Sequence, residues 1–395
     1  MARLVYLDWA ATAPLCEESA CALAPYLASG TETLCFGNAN SLHSVGRKAF
    51  IDLENAREKC AYLLGAARPD EIIFTSGATE ANNAALLGIT RAYVAQQKQQ
   101  GKHDFVPHIV ISAIEHDSVL SVAKSLKASG IEVTLLKPDR NGFIHPDEFR
   151  NVLCENTLLA SIQLANNEIG TIQDIKNLTS IAHERNVFFH TDAVQALGKI
   201  AINVRELGID AASFSGHKVS GPKGVGILYL KANTPFSPLI VGGGQEQDRR
   251  SGTQNVSGVV GMIAACEAAC DNQVEENERL TQLRDSLYRQ LCANERVFPS
   301  VLVEKESSKF LPNIVNICVE GFESETLVLR LDQAGFAVSG GSACSSSSLE
   351  PSHVLQAIGI ARDLSLGSLR VSLGRLTTEE EIENFLEAFK KCVEG

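Results

Sequence analysis

Through the first 230 or so positions, short unbroken apolar runs alternate with longer segments in which apolar residues recur every three or four positions. The first pattern marks buried strands and the second marks helices packed on them. Strands are predicted at 71–74, 108–112, 132–136, 158–164, 187–190, 211–214 and 226–230. Helices are predicted after the glycine turn at Gly77, over 117–129 and over 178–185. This alternation calls for crossover connections, hence an α/β fold with a largely parallel sheet and helices on both faces.

The character changes after Gly258. One long helical pattern runs over 259–293, its second half heavily charged. Short strands follow at 314–318 and 370–373, with helices at 325–334, 351–358 and 379–391, the makings of a smaller α/β domain. The one biased stretch, Ser339 to Ser348, holds only Ser, Gly, Ala and Cys344. Such a loop has almost nothing to bury and is expected to be exposed.

Charge narrows the function classes. The formal net charge is −12, from 35 basic and 47 acidic residues, the wrong sign for a general nucleic-acid binder, though a local positive pocket can still hold an anion. The 11 cysteines are scattered without a CxxC pair. That is expected of a reduced thiol inventory rather than a disulfide scaffold. The apolar run before Asp8 is too short for a signal peptide, and nothing approaches a membrane span. A cytoplasmic protein without a membrane or nucleic-acid partner is expected. No HExxH or closely spaced His/Cys pair occurs, so no metal site is expected.

Several runs carry chemistry. In Thr75-Ser-Gly-Ala-Thr-Glu-Ala-Asn-Asn83 a strand gives way to a glycine turn and a helix start, a backbone arrangement suited to phosphate; a simple cap by Ser76 or Thr79 is the alternative. Asp192, just past an apolar strand, sits where open α/β sheets bind ligands; it could pair with a protonated ring nitrogen or cap a helix. In Ser213-Phe-Ser-Gly-His-Lys218, a lysine at a strand end suits a Schiff base with a carbonyl cofactor, although a surface lysine is the ordinary reading of Lys218 taken alone. Cys344 lacks apolar neighbours and so lacks a packing reason to be a cysteine, which fits a reactive thiol. Arg249, Arg250 and Arg370 are candidates for phosphate or carboxylate capture, or for ion pairs within the fold.

Taken together, these runs resemble the cysteine desulfurases of the NifS/IscS type, within the class V aminotransferase group of pyridoxal-phosphate enzymes of fold type I. The similarity extends nearly end to end. It includes YLDWAATAP, FGNANSLH, FTSGATEANN, EHDSVL, NNEIGTIQDI, HTDAVQALGK, SFSGHKVSGPKGVG, GGGQEQDRRSGTQN, SGGSACSSSSLEPSHVLQAIG and LRVSLGRLTTEEEI. The chain departs from the family pattern at Asp8-Trp-Ala-Ala-Thr12 and at Asn38-Ala-Asn-Ser41, positions that bear on substrate preference rather than reaction type.

The resemblance implies a large pyridoxal-phosphate domain over 15–258, with a seven-stranded type of sheet. Residues 1–14 and 259–395 would form a small domain carrying the catalytic-cysteine loop. It implies that Lys218 holds the cofactor and that Ala78, Thr79, Ser215 and His217 cradle its phosphate. Thr253 would reach the phosphate of the other subunit, which implies a homodimer. Asp192 resembles the partner of the ring nitrogen, Gln195 that of the ring oxygen and His116 the stacking histidine. Asn167 resembles a contact to cofactor and substrate, Arg370 the carboxylate clamp, and Cys344 the nucleophile that accepts sulfur. The reaction implied is removal of sulfur from L-cysteine to give L-alanine and a persulfide for acceptors such as an iron–sulfur scaffold. A cystine or cysteine C–S lyase, a selenocysteine lyase and a non-catalytic scaffold remain as alternatives.

Overall fold

A computed structural model of the protein describes residues 4–341 and 350–394. Strands β1 to β12 are, in chain order, Val5–Tyr6, Ile72–Thr75, His108–Ser112, Glu132–Leu136, Thr157–Ser161, Phe188–Asp192, Ala211–Ser215, Gly226–Leu230, Val297–Pro299, Ile314–Val319, Phe336–Ala337 and Ser368–Ser372. Seven of them, ordered β2-β8-β7-β6-β5-β3-β4, make the main sheet. Its pairs are parallel from β7 through β6, β5 and β3 to β4, while β8 runs antiparallel to both β2 and β7. The reason is connection length. A parallel return needs a crossover of a dozen or more residues, usually through a helix, and the link 216–225 carries only a short 3-10 turn, Gly216–Lys218.

Successive strand residues feed two different cores, as a period of two requires. Ile109 and Ile111 pack on one face with Leu228, Leu230 and Ile73. Val110 packs on the other with Ile227, Tyr229 and Phe74. Both faces are covered, so β3, β5, β7 and β8 are buried at every position and read as unbroken apolar or small-residue runs.

A third core surrounds the antiparallel sheet β12-β10-β9, joining Leu7, Leu283, Leu287, Ile317, Leu369 and Phe385. The N-terminal strand β1 pairs in parallel with β11 beside it. The single helix predicted over 259–293 is two helices, Val256–Asp271 and Gln273–Leu291, meeting at Asn272. The first buries Val259, Met262 and Cys266 in the large core, the second Leu280, Leu283 and Leu287 in the small one, so the break comes where the chain changes cores. Among the described residues no helix is long and apolar enough to cross a membrane.

Candidate active site

Strands β2, β3, β5, β6 and β7 all end at one edge of the sheet, the edge where α/β sheets take ligands. The segments leaving those ends enclose a cavity of about 560 Å³. It brings together ten residues expected from the sequence: Ala78, Thr79, His116, Asn167, Asp192, Gln195, Ser215, His217, Lys218 and Arg370.

One end is made of backbone. Helix Ala78–Gln99 starts at Gly77, with φ 154° and no side-chain cap; neither Ser76 nor Thr79 plugs it. A Cβ added at Gly77 or Gly224 would meet no atom within 4 Å, so both walls leave open room in front of them. On its other side Gly77 is packed tightly, since a Cβ on Gly226 would lie 2.6 Å from its Cα. Glu80, the acid in this first turn, is turned aside. It accepts from Ser76 N at 2.8 Å and pairs with Arg250 at 2.9 Å. Arg250 is thereby engaged within the fold, and Arg249 donates to the Asp70 carbonyl. His217 bonds through Nδ1 to Thr12 Oγ1 at 3.1 Å. Burial, then the charges of Lys218, Lys223 and Lys199, push its pKa down to about 4, so it is neutral at pH 7. Lys218 and Lys223 both line the cavity, so positive charge stands beside it.

The middle is a chain of side-chain hydrogen bonds. Asp192, 7% exposed, accepts from Asn82 Nδ2 at 2.7 Å and from Val194 N at 3.0 Å. Asn82 also donates to Ser118 Oγ, which meets His116 Nδ1 at 2.8 Å. Ser118 N donates to the same Nδ1 at 3.1 Å; Nδ1 therefore accepts, which leaves Nε2 as the nitrogen that carries a proton. Behind it Glu115 is fully buried, and burial first, with the charge of Asp192 adding, raises its pKa well above the carboxylate range. On the floor, Lys218 Nζ donates to Ala10 O at 2.7 Å and Ala11 O at 2.6 Å, and Gln195 Nε2 donates to Ala10 O at 3.0 Å.

The far end is made of side chains. Arg370, 1% exposed, pairs with Asp8 at 2.8 Å and donates to the Asn167 carbonyl at 2.9 Å. Its Nε is buried without a partner among the described residues. Asn166 Oδ1 accepts from the amides of Glu168 and Ile169, fixing the turn that presents Asn167.

Thr253 is exposed and lies outside the cavity lining, and Cys344 lies outside the described residues. Thr12, Asn82, Ser118 and Lys223 are site residues that the sequence reading did not single out. Asn82 alone left a trace, as a polar position on the buried side of an alanine-rich helix. Trp9, the departure from the family pattern, lines a second cavity of about 370 Å³ on the other side of Lys218, not the first. Among the described residues no three His, Cys, Asp or Glu side chains are grouped to hold a metal ion.

This donor set fits pyridoxal phosphate. Open backbone and positive charge suit the phosphate, Asp192 suits a protonated ring nitrogen, and a lysine lines the same cavity.

The model of the family Aminotransferase class-V matches residues 5–385. The chain is 46% identical over 394 residues to the cysteine desulfurase IscS of Dictyoglomus turgidum, covering 100% of this chain and 95% of the relative. It is 44% identical to that of Methanosarcina thermophila, with 99% and 92% covered. A solved NifS-like protein superposes with a TM-score of 0.89 at 35% identity, covering 99% of both chains. SspA, solved in complex with cysteine, superposes with a TM-score of 0.78 at 32% identity, covering 93% of this chain and 98% of that one.

Proposed function

The chain belongs to the class-V aminotransferases, and we propose from that premise how its cavity works. It is a pyridoxal 5′-phosphate-dependent cysteine desulfurase acting on L-cysteine. The observation that carries the assignment of roles is that Lys218 lines one cavity together with the backbone cradle at Gly77–Thr79 and the oriented carboxylate of Asp192. When bound, the cofactor supplies an electron sink for the bonds at the amino acid's Cα and Cβ.

The chain's own residues do the rest. Ala78, Thr79, Ser215 and His217 hold the phosphate, and Asp192 keeps a proton on the ring nitrogen. Lys218 is the point of attachment, and its Nζ takes the Cα proton as general base. Arg370 and Asn167 orient the substrate; the guanidinium suits a carboxylate. His116, its Nδ1 tied to Ser118, uses Nε2 for proton traffic at the substrate thiol. Cys344 accepts the sulfur. The substrate Cβ–S bond breaks, an S–S bond forms on Cys344, and Cβ gains a proton to give L-alanine.

We propose a large cofactor-holding unit over 15–258 and a small unit from 1–14 with 259–395; the shared core of Leu7 with Ile317 and Leu369 supports joining the two termini. Helix Val256–Asp271 packs on the large unit. Thr253, exposed outside the cavity, would complete the phosphate site of a second copy in a homodimer. Exposed Phe50, Ile51 and Tyr62 on helix Ser44–Leu64 offer apolar surface for such a contact. The persulfide would pass to an acceptor such as an iron–sulfur scaffold, in the cytoplasm, where the free cysteines would stay reduced.

The test is a pair of variants. Lys218→Ala should lose the visible absorbance of the bound cofactor. Cys344→Ala should keep that absorbance yet form no protein-bound sulfur. Rapid alanine formation by Cys344→Ala would remove Cys344 from its role.

A further inference from the structure

We propose that Lys199 is a positioning residue that acts through Gln195, fixing which way the Gln195 amide faces and so leaving an N–H donor at the cavity floor. This rests on the cofactor site described above. Gln195 is buried, so water cannot replace a lost partner. Its Nε2 donates to Ala10 O at 3.0 Å, and Lys199 Nζ stands 3.2 Å from its backbone oxygen and 3.5 Å from its Oε1. A carbonyl can only accept, and Lys199 in its ammonium form, present below about pH 7, can only donate. Turning the amide over would set oxygen against oxygen at Ala10 and N–H against ammonium at Lys199. One orientation therefore survives, and in it the second hydrogen on Nε2 is left for the cofactor's ring oxygen.

The chain is shaped to deliver Lys199 to this place. Gly198 turns it under the floor with φ +74°, where a Cβ would lie 2.8 Å from both Ala269 and Val219 side-chain atoms. The Lys199 backbone is held at both ends, its N–H donating to Ala196 O at 2.9 Å and its carbonyl accepting from Asn277 Nδ2 at 2.6 Å. The side chain lies in the second cavity, which meets the first at Lys218. Lys218, Arg279, Arg375, Glu275 and Glu276 are the charged groups sharing that cavity. Arg279 is committed to Glu276 at 2.7 Å and Arg375 to Glu18 at 3.3 Å. Burial, then the charge of Lys218, lower the Lys199 pKa to about 7, as two neighbouring lysines require.

The full-length protein, stripped of cofactor, is titrated with pyridoxal phosphate while the visible band of the lysine-bound form is followed. Lys199→Met should weaken binding about tenfold and shift the band, whereas Lys199→Arg should stay within about threefold, as expected for a lost charge-assisted bond. In a Gln195→Ala background, Lys199→Met should add less than about twofold, because residues acting as one unit are not additive. Lys199→Leu, which also lacks a donor, serves if the Met variant does not fold, judged by its melting curve, and should show the same loss. Unchanged affinity and band, or full additivity with Gln195→Ala, would overturn the proposal. If the unsubstituted protein forms no band, or Lys218→Ala keeps it, the cofactor reading itself fails and this inference falls with it.

Discussion

The two ends of the cavity are built from different materials. At Gly77–Thr79 the wall is main chain: an uncapped helix start and a glycine with open space before it. At Arg370 the wall is a buried guanidinium held by Asp8 and the Asn167 carbonyl. In the proposed reading the first end would recognise charge through groups every residue has, and depend on side chains mainly by what they leave out. The second would take a carboxylate through one side chain whose partners lie 362 and 203 residues away in sequence. Substitutions should therefore damage the two ends in different ways.

The largest effect is expected at the side-chain end. Arg370→Ala removes the clamp and leaves the partly exposed Asp8 without its partner. The kcat/KM for L-cysteine should fall at least a hundredfold with the visible band retained, and loss of the band instead would place Arg370 in the fold rather than at the substrate. At the backbone end, Gly77→Ala forces an alanine into a conformation costing about 1–3 kcal/mol and puts a methyl where the phosphate would sit. Pyridoxal phosphate should bind about tenfold or more weakly, and unchanged affinity would place the phosphate elsewhere. Between the ends, Asn82→Ala removes a donor from buried Asp192, a loss of about 1–3 kcal/mol. The band should change its pH dependence while KM moves little; a KM effect alone would contradict the assigned role.

A further effect, seen only on acidification, tests the platform both ends share. His190 links β5 to β7 through Ser161 and Ser213 at 2.8 and 3.0 Å, and burial lowers its pKa to about 3. The unfolded chain takes up this proton near the ordinary histidine value while the folded one does not. Stability from this residue is therefore complete above about pH 6.5 and is lost as pH falls toward about 3, by up to about 1.4 kcal/mol per unit. Urea midpoints of the unsubstituted protein and of His190→Gln should converge through that window, and parallel curves would refute it.

The sequence shows most clearly the elements whose burial is complete. Ile109–Ile111 and Gly226–Leu230 stand out because both faces of each strand are covered. Helix Ser44–Leu64 does not, because exposed Phe50, Ile51 and Tyr62 blur its polar face, and two-residue strands such as β1 and β11 are too short to leave a pattern. The site divides in the same way. Asp192 and Lys218 are legible because one closes a strand and the other stands just past one, whereas Gln195 is legible only through the family resemblance. Thr12 and Lys199 are not, because their meaning comes from His217, 205 residues away, and from a glycine turn beneath the floor. Arg249 and Arg250 looked like anion ligands, but Asp70 and Glu80 occupy them.

The central claim is that Lys218 and Cys344 divide one reaction between them. Its most direct measurement is a single exposure of the intact protein to L-cysteine, with alanine, pyruvate and sulfur on Cys344 counted together. Alanine matched mole for mole by added sulfur on Cys344, without pyruvate, is the expected result; pyruvate and ammonia, or alanine with the sulfur on another residue, would contradict it.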